Sequence, residues 1–478
     1  MVIPRPGTNP TRRPCIKLMG RNLKITKTLK YLGVTWDQGL TWLPHLQEVK
    51  VRTANIAKKA RQFRGQNWGQ NPYIQKLLYL TVAERIVLYA SAIWALPMSS
   101  RKIKALSAIQ RPFALNISKA YRTTATNAAL VLTGLTPLHI RAKLEAIYER
   151  VIRLKENAAL DTTVFSTLQY ETPGSTQHVH PAHKNSGIHV KIAKRSTPRI
   201  EDVPVASQFY TDGSKHDNGV GCAYAYYEHG TLHSQWKGHL AAHNSIFQAE
   251  AIAIEAAIQY AHDIQLARTE ICTDSMSVLQ ALKNHHHTSP IILQIQQTLH
   301  SNQQSNIKLK WVRGHSGIAG NEMADQLANE AAINNNAQAV SALIPPSFLK
   351  RQLRDIGNKQ WQHEWENGDT GRRTFEFYPV VDKERLQAIP PLVNYITGHG
   401  PFPTFFYKRA ISMTEACVCG EIGSPDHYYV FNCSLTTSHH LPYPTTDIVP
   451  YKRFIIKHAP AIRNISFSQA GDDDWPND

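Results

Sequence analysis

The sequence has little cysteine and no long apolar run. Only six of its 478 residues are cysteine, too few for the disulfide framework that holds small secreted proteins together. Residues 1–14 are rich in arginine and proline and lack the apolar core of a signal peptide. The longest apolar stretch, residues 86–96, is shorter than the roughly 18 residues that span a membrane. We therefore expect an intracellular protein, nuclear or cytoplasmic, with no membrane partner.

Acidic residues are scarce in the first third of the chain. Residues 1–150 hold 25 lysines and arginines against 5 aspartates and glutamates, whereas the remainder is nearly balanced. Positive charge this concentrated indicates that the N-terminal third binds a polyanion, for which nucleic acid is the simplest candidate. A solvated basic surface without a ligand is the alternative.

The N-terminal third has the periodicity of a helical region. Between residues 41 and 156, segments with apolar residues at three- and four-residue spacing alternate with polar or Gly/Pro signals. One of them, Pro72 to Trp94, reads as a continuous helical segment, and the run from Tyr31 to Trp36 ahead of them predicts a strand. Residues 172–199 are rich in Pro, Ser, Thr, His and Lys without a period, which is typical of a linker.

From residue 203 the pattern changes to that of a mixed sheet. Three short β-prone runs separated by glycine-containing turns come first, and strands and helices then alternate as far as residue 332. This order predicts an α/β fold with helices packed on both faces of a five-stranded mixed sheet.

Four carboxylates occupy matching places in that predicted fold. Asp212 and Asp274 each follow a predicted strand, while Glu250 and Asp325 each lie early in a predicted helix. If the two strands are neighbours, all four side chains can face one point, and a divalent cation such as magnesium would offset their mutual repulsion. A single aspartate at a strand end is usually a turn or cap residue, so the prediction depends on the ordered set.

The blocks that carry these residues resemble the ribonuclease H domain. They are Tyr210-Thr211-Asp212-Gly213-Ser214, Gln248-Ala249-Glu250, Thr273-Asp274-Ser275 and the run from Gly314 to Asp325. The resemblance covers residues 203 to 332 and implies hydrolysis of the RNA strand of RNA/DNA hybrids by two magnesium ions, with manganese as an alternative. It implies Asp212, Glu250, Asp274 and Asp325 as the metal ligands, and His315 as a residue that assists proton transfer or product release.

The predicted ribonuclease H region departs from cellular relatives in its means of gripping a substrate. The stretch His285-His286-His287-Thr288-Ser289 between two of its helices has no basic protrusion. Residues 201–340 hold 13 acidic and 7 basic residues. We therefore expect affinity for the hybrid to come from other parts of the chain.

The N-terminal third resembles a part of another enzyme. The run from Leu29 to Asp37 is similar to the end of the palm in reverse transcriptases of non-LTR retrotransposons of the jockey and I types, and the helices after it are similar to their thumb. No Tyr-x-Asp-Asp motif of a polymerase occurs in the sequence. The thumb-like helices are expected to contact nucleic-acid backbone through Lys58, Lys59, Arg61 and Arg64.

The C-terminal region contains a compact set of metal-ligand residue types. Cys417, Cys419, His427 and Cys433 have the chemistry and closeness of one tetrahedral zinc site, although reduced free cysteines are the alternative. The motif Thr397-Gly398-His399-Gly400-Pro401-Phe402 ahead of them and the Cys-x-Cys-Gly start resemble the tail of the same retrotransposon polyproteins.

Together these features predict a retrotransposon-derived protein with four regions. They are a palm end and all-α thumb-like region without the catalytic palm (1–160), a linker (161–202), a ribonuclease H domain (203–335) and a C-terminal region with a small zinc-binding motif at 417–433 (336–478). The expected activity is endonucleolytic cleavage of RNA in RNA/DNA hybrids. The expected partners are the hybrid, other nucleic acid and other proteins of such an element. The alternative is a domesticated or decaying remnant that binds nucleic acid without cutting it.

Overall fold

A computed structural model of the chain describes residues 1–3, 15–63, 69–174, 189–192, 206–301, 306–333, 337–429, 433 and 452–460. Its packing divides the chain into two compact units, residues 1–146 with 353–478 and residues 147–352. In the part of the chain that is described, no helix is both long and apolar enough to cross a membrane.

The helices follow the predicted order closely. In chain order they are α1 (Leu43–Gln62), α2 (Pro72–Leu78), α3 (Glu84–Leu88), α4 (Ser91–Trp94), α5 (Ser100–Ser118), α6 (Thr126–Thr133), α7 (Leu138–Tyr148), α8 (Ile246–Asp263), α9 (Met276–Lys283), α10 (Pro290–Ser301), α11 (Ala319–Ile333), α12 (Pro346–Glu366), α13 (Arg372–Phe377), α14 (Pro390–Thr397), α15 (Pro403–Tyr407) and α16 (Pro425–Tyr429). Two π-helical turns, Tyr79–Ala83 and Glu149–Leu154, continue α2 and α7.

The strands are mostly short. In chain order they are β1 (Lys17–Leu18), β2 (Arg21–Asn22), β3 (Thr28–Tyr31), β4 (Val34–Asp37), β5 (Ala158–Leu160), β6 (Thr163–Phe165), β7 (His189–Ile192), β8 (Ser207–Lys215), β9 (Val220–Glu228), β10 (Thr231–Leu240), β11 (Arg268–Thr273), β12 (Asn306–Trp311) and β13 (Gln338–Ala339).

Two details of the N-terminal third differ from the sequence prediction. The single strand predicted over Tyr31 to Trp36 is a hairpin of β3 and β4, because Leu32 and Gly33 between them both have positive φ and form a tight turn. The continuous helical segment predicted from Pro72 to Trp94 is interrupted, because the left-handed conformation of Ala90 separates α3 from α4. The spacing of apolar residues predicts neither the turn at Leu32 and Gly33 nor the left-handed conformation of Ala90.

The second unit is built on a seven-stranded mixed sheet with the order β13-β10-β9-β8-β11-β12-β7. The five predicted strands form its centre: β8, β9 and β10 are antiparallel neighbours, and β8, β11 and β12 are parallel. The prediction of five strands is wrong at the edges, where β13 and β7 each add a short parallel strand. Sequence analysis does not predict β13, because two residues are too few to show an alternation of apolar and polar side chains. It does not predict β7, because that strand lies alone in a segment with the composition of a linker.

Apolar residues cover both faces of this sheet. On one face α8 packs through Ala251, Ile254 and Ile258 onto a core that includes Phe209 and Ile271. On the other face Leu327 and Ala328 of α11 pack on Ala223 and Ala225 of β9. The two helices that carry predicted metal ligands are therefore held against opposite faces of β8 and β9.

The first unit has a core to which both ends of the chain contribute. Tyr79, Phe113 and Leu130 from the N-terminal helices pack with a C-terminal set that comprises Phe377, Leu392, Tyr395, Phe402, Phe406 and Tyr428. Composition shows where segments change along a chain but not which segments pack together, so this shared core could not be predicted. The limits of the four regions given above stay a prediction.

Candidate functional site

The prediction that Asp212 follows its strand is wrong, because pairing with β9 continues β8 to Lys215 and places Asp212 within the strand. Asp212 and Asp274 nevertheless meet, because β8 and β11 are adjacent and parallel. Thr211 of β8 is paired with Thr273 of β11. Asp212 and Asp274, one residue further along each strand, therefore lie side by side at the same edge of the sheet.

Glu250 reaches the same point from α8. Ser245 and Gln248 form a capping box that fixes the start of this helix, and Glu250 lies in its second turn. The helix can approach β8 closely only because residue 213 is glycine: a Cβ there would lie 2.8 Å from the Glu250 amide nitrogen. As a result, carboxylate oxygens of Asp212, Glu250 and Asp274 all lie within 4.8 Å of one another.

In this three-carboxylate group Asp212 and Glu250 are buried and Asp274 is partly buried, and their charges repel one another in the absence of a cation. Burial, and after it the charge of Asp274, raises the pKa of Asp212 to about 7. Burial, followed by the charges of Asp212 and Asp274, raises the pKa of Glu250 to about 10. Oε2 of Glu250 has no hydrogen-bond partner although the residue is only 6% exposed. A buried acceptor without a donor is suited to a hard cation.

Asp325 faces the group from α11 and is held by an asparagine. The proximity of Asp325 also raises the pKa of Asp212, although less than burial and the charge of Asp274 do. Asn329, one turn further along α11, donates from Nδ2 to Oδ1 of Asp325 over 3.0 Å. The Asn329 Oδ1 accepts from the Ser214 hydroxyl and lies 3.3 Å from Nε2 of His216. These contacts orient the amide so that its NH₂ group faces the carboxylate.

Asparagines that sequence analysis missed support two of the four carboxylates. Besides Asn329, the buried Asn321 hydrogen-bonds the side chain of Asp274 and so opposes the rise in its pKa that burial causes. The spacing of four residues between Asp325 and Asn329 on one helix was a usable signal for the first contact. The second contact crosses from α11 to the end of β11 and has no local sequence signal.

His315 lies on the loop between β12 and α11, at the edge of the group. Its side chain is 86% exposed, and Nδ1 lies 4.0 Å from Oδ2 of Asp325. The residue has positive φ, 49°, which projects the imidazole from a tight turn. Its position gives the ring access to solvent and to the carboxylates.

The predicted Cys/His set also comes together, in the first unit. Ligand atoms of Cys417, Cys419, His427 and Cys433 all lie within 4.8 Å of one another. Cys417 Sγ is 3.9 Å from Cys433 Sγ, and Cys419 Sγ is 4.0 Å from Cys433 Sγ and 3.3 Å from His427 Nε2. A tetrahedron with Zn–S bonds of about 2.3 Å places its sulfurs roughly 3.8 Å apart. The arrangement therefore has the size and residue types of a zinc site.

Three of the four predicted backbone-binding residues lie on the surface of α1. Lys58, Lys59 and Arg61 are exposed in its last turns. Arg64 lies outside the described residues. The structure thus presents a basic end of α1 to solvent.

Comparison with known proteins identifies the fold of the second unit. Residues 204–333 match the family model of RNase H. They form a ribonuclease H domain. A solved structure similar to this domain is that of ribonuclease H1 from the halophilic archaeon Halobacterium salinarum NRC-1, at 24% identity over 26% of this chain and 96% of that chain, with a TM-score of 0.23.

Similar curated proteins come from R1 retrotransposable elements. The chain is 28% identical over 166 residues to a 115 kDa protein of the type-1 element R1DM of Drosophila melanogaster, which is 34% of this chain and 16% of that protein. It is 26% identical over 149 residues to a retrovirus-related Pol polyprotein of the R1 4 element of Nasonia vitripennis, 31% of this chain and 38% of that protein. The chain thus matches less than two fifths of either relative. The prediction of a ribonuclease H domain with homology to non-LTR retrotransposon polyproteins is confirmed.

Proposed function

We propose that the ribonuclease H domain hydrolyses the RNA strand of RNA/DNA hybrids at internal positions with the help of two divalent cations. The observation that carries this proposal is the group of three carboxylates within 4.8 Å of one another, of which Asp212 and Glu250 are buried. One oxygen of Glu250 has no hydrogen-bond donor. Oxygen ligands of this kind fit magnesium, and manganese as an alternative.

Asp212, Glu250, Asp274 and Asp325 would hold the cations. Such ions lower the pKa of an attacking water and neutralise charge on the leaving oxygen. The position of each carboxylate is fixed by the fold: Asp212 and Asp274 by adjacent strands, Glu250 by the capped α8 and Asp325 by its hydrogen bond to Asn329. Preorganisation of this kind keeps the ligands close despite their repulsion.

His315 is proposed to move protons between the site and solvent. Its imidazole is exposed and lies 4.0 Å from Asp325, so it can exchange protons with water on one side and approach the reacting groups on the other. Histidine is the side chain that most often transfers protons in enzyme active sites.

Cys417, Cys419, His427 and Cys433 are proposed to bind one zinc ion. Burial raises the pKa of the Cys417 thiol, but hydrogen bonds, chiefly from the backbone of Cys419, lower it below its ordinary value overall, which favours the thiolate that zinc requires. Cys417 and Cys433 belong to the core of the first unit. Zinc would therefore stabilise the C-terminal segments of that core, and the adjoining surface is proposed to contact nucleic acid.

The basic N-terminal third is proposed to supply affinity for the nucleic-acid backbone. Lys58, Lys59 and Arg61 project from the exposed end of α1, and Arg64 follows them in sequence. The ribonuclease H domain is acidic, so contacts from another part of the chain would offset its repulsion of the substrate. Other proteins of an R1-like element are further proposed partners.

The experiment that tests the proposed function is cleavage of a hybrid whose RNA strand is labelled, by the purified full chain with and without magnesium. The Asp274→Asn variant is the matched control, because its amide preserves size and removes the charge that a metal ligand needs. Internal cuts by the unmodified chain alone support the proposal. A chain that binds the hybrid and leaves it intact would be a nucleic-acid-binding remnant instead.

A further inference from the structure

The motif Thr397 to Phe402 brings a histidine into contact with a distant loop of the first unit. His399, directly after α14, has its Nδ1 2.8 Å from the hydroxyl of Thr123, which lies between α5 and α6. Its ring is 5.3 Å from that of Phe405 on α15, and Tyr121 of the same loop lies 5.6 Å from Phe405 on another side. Phe405 is 9% exposed, so its ring anchors both segments in the core.

Two arginine side chains lie close to this contact, and a third arginine, Arg122, belongs to the same loop as Thr123. Arg111 of α5 donates to the hydroxyl of Thr126 over 2.8 Å and to the carbonyl oxygen of Arg122, which fixes its guanidinium on the loop. The guanidinium carbon of Arg409 lies 5.7 Å from the centre of the Phe405 ring. Arg122 and Arg409 are exposed. We call Arg111, Arg122, His399 and Arg409 the His399 cluster.

The His399 cluster has an excess of positive charge that the described residues do not neutralise. Burial, and then the charges of Arg409 and Arg111, lower the pKa of His399 to about 4, so its ring is neutral at pH 7 and lies in a positive field. Within the described ranges, no carboxylate forms an ion pair with Arg111, Arg122 or Arg409.

In the described part of the chain, two other arginines of the same unit are paired with carboxylates, unlike those of the His399 cluster. Arg373 makes two hydrogen bonds with Asp426, of 2.7 and 2.8 Å, and Arg141 donates to Glu84 over 3.1 Å. Because the arginines of the His399 cluster have no such carboxylate partner among the described residues, we infer that they pair with an anion from outside the chain. Gathering like charges without a partner costs free energy that a bound anion would recover.

We propose that the His399 cluster binds backbone phosphate of nucleic acid, with Arg122 and Arg409 as the contacting residues and Arg111 and His399 as the groups that position them. Guanidinium groups match phosphate geometry with two hydrogen bonds. The inference rests on the proposal that the chain binds nucleic acid and is independent of cleavage.

The test uses the full chain with Asp274→Asn, so that a fluorescent RNA/DNA hybrid is bound and not cut. Affinity is measured by anisotropy at a series of salt concentrations for the double variant Arg122→Gln, Arg409→Gln. The matched control is Arg101→Gln, Lys104→Gln, which removes the same charge from exposed positions of α5, about 10–15 Å along the helix from Arg111. A third variant, Arg122→Lys, Arg409→Lys, keeps the charge of the cluster.

Loss of two phosphate contacts should lower the slope of log affinity against log salt by about 1.4–1.8. It should also weaken binding about tenfold or more at low salt, since a hydrogen bond to a charged group is a strong one. The lysine variant should keep the slope and lose part of the affinity. Equal effects of the cluster variant and the control would overturn the proposal, because they would show a diffuse basic surface.

Chemical protection gives a second readout that requires no arginine variant to fold. Phenylglyoxal modification of Arg122 and Arg409, measured by mass spectrometry, should fall when the hybrid is added, whereas that of Arg101 should not. Unchanged reactivity of Arg122 and Arg409 contradicts the inference. Cleavage by the unmodified chain is measured separately: protection without cleavage would reject the proposed activity alone, and cleavage without protection would reject the phosphate site alone.

Discussion

Replacement of Asp212 by asparagine is expected to stabilise the metal-free ribonuclease H domain while it removes activity. Burial and the neighbouring Asp274 raise the pKa of Asp212 from 3.8 to about 7. An acid whose pKa is raised by folding binds its proton more tightly in the folded state. It therefore costs stability progressively as pH rises from about 4 to 7, and the full cost persists above that range.

The size of the effect follows from the shift. About three pKa units correspond to about 4 kcal/mol, at 1.36 kcal/mol per unit. This figure is an upper limit, because asparagine is also polar and its burial in place of the carboxylate also costs free energy. We expect a gain of about 1–2 kcal/mol in the free energy of unfolding at about pH 8 without magnesium.

Calorimetry of the full chain measures this gain directly. The transition of the ribonuclease H domain is recognised as the one that magnesium shifts in the unmodified protein. In magnesium-free buffer, Asp212→Asn should raise the Tm of that transition by about 3–8 °C, and added magnesium should raise it less than in the unmodified chain. The control Asp217→Asn, in the exposed turn after β8, should not change it. A lower Tm for Asp212→Asn would refute the repulsion that we infer.

Three further predictions concern the supporting groups. Asn329→Ala should raise the magnesium concentration for half-maximal cleavage several-fold and leave hybrid affinity unchanged, since the hydrogen bond to Asp325 is lost; an unchanged magnesium requirement would mean that Asn329 only packs. Cys419→Ser should sharply lower the zinc content measured by elemental mass spectrometry, whereas the exposed Cys15→Ser should not; equal zinc in the two proteins would leave the cysteines as reduced thiols. Replacing Lys58, Lys59 and Arg61 together by glutamine should lower the slope of log affinity against log salt for hybrid binding by up to about 2–3. An unchanged slope would mean that the end of α1 is only a solvated surface.

Much of the ribonuclease H domain was predictable because its information is local. In β8 and β11, β-prone residues precede an aspartate and a small residue, and Ser245 and Gln248 mark the start of α8. Once β8 and β11 are taken as parallel neighbours, the meeting of Asp212 and Asp274 follows from register alone. The Cys/His set was predictable for a similar reason, because its four members lie within 17 residues of sequence.

The remainder depends on contacts between distant segments. Asn321 reaches Asp274 across the domain, and Phe405 meets Tyr121 nearly three hundred positions earlier in the chain. The shared core of C-terminal residues such as Tyr395 with Phe113 likewise cannot be predicted from periodicity. Periodicity indicates that one face of a helix is apolar but not which segment packs on it. Edge strand β13 is too short for any pattern to indicate.

Magnesium-dependent cleavage of the RNA strand in a labelled hybrid is the most direct test of the central claim. We predict internal cuts by the full chain with magnesium and none without it. The Asp274→Asn variant should make no cuts with or without magnesium. The same chain should leave the DNA strand and a DNA duplex of the same sequence intact. Binding of the hybrid without cleavage, or equal cleavage by Asp274→Asn, would contradict the assignment of the buried carboxylates as the metal-binding active site.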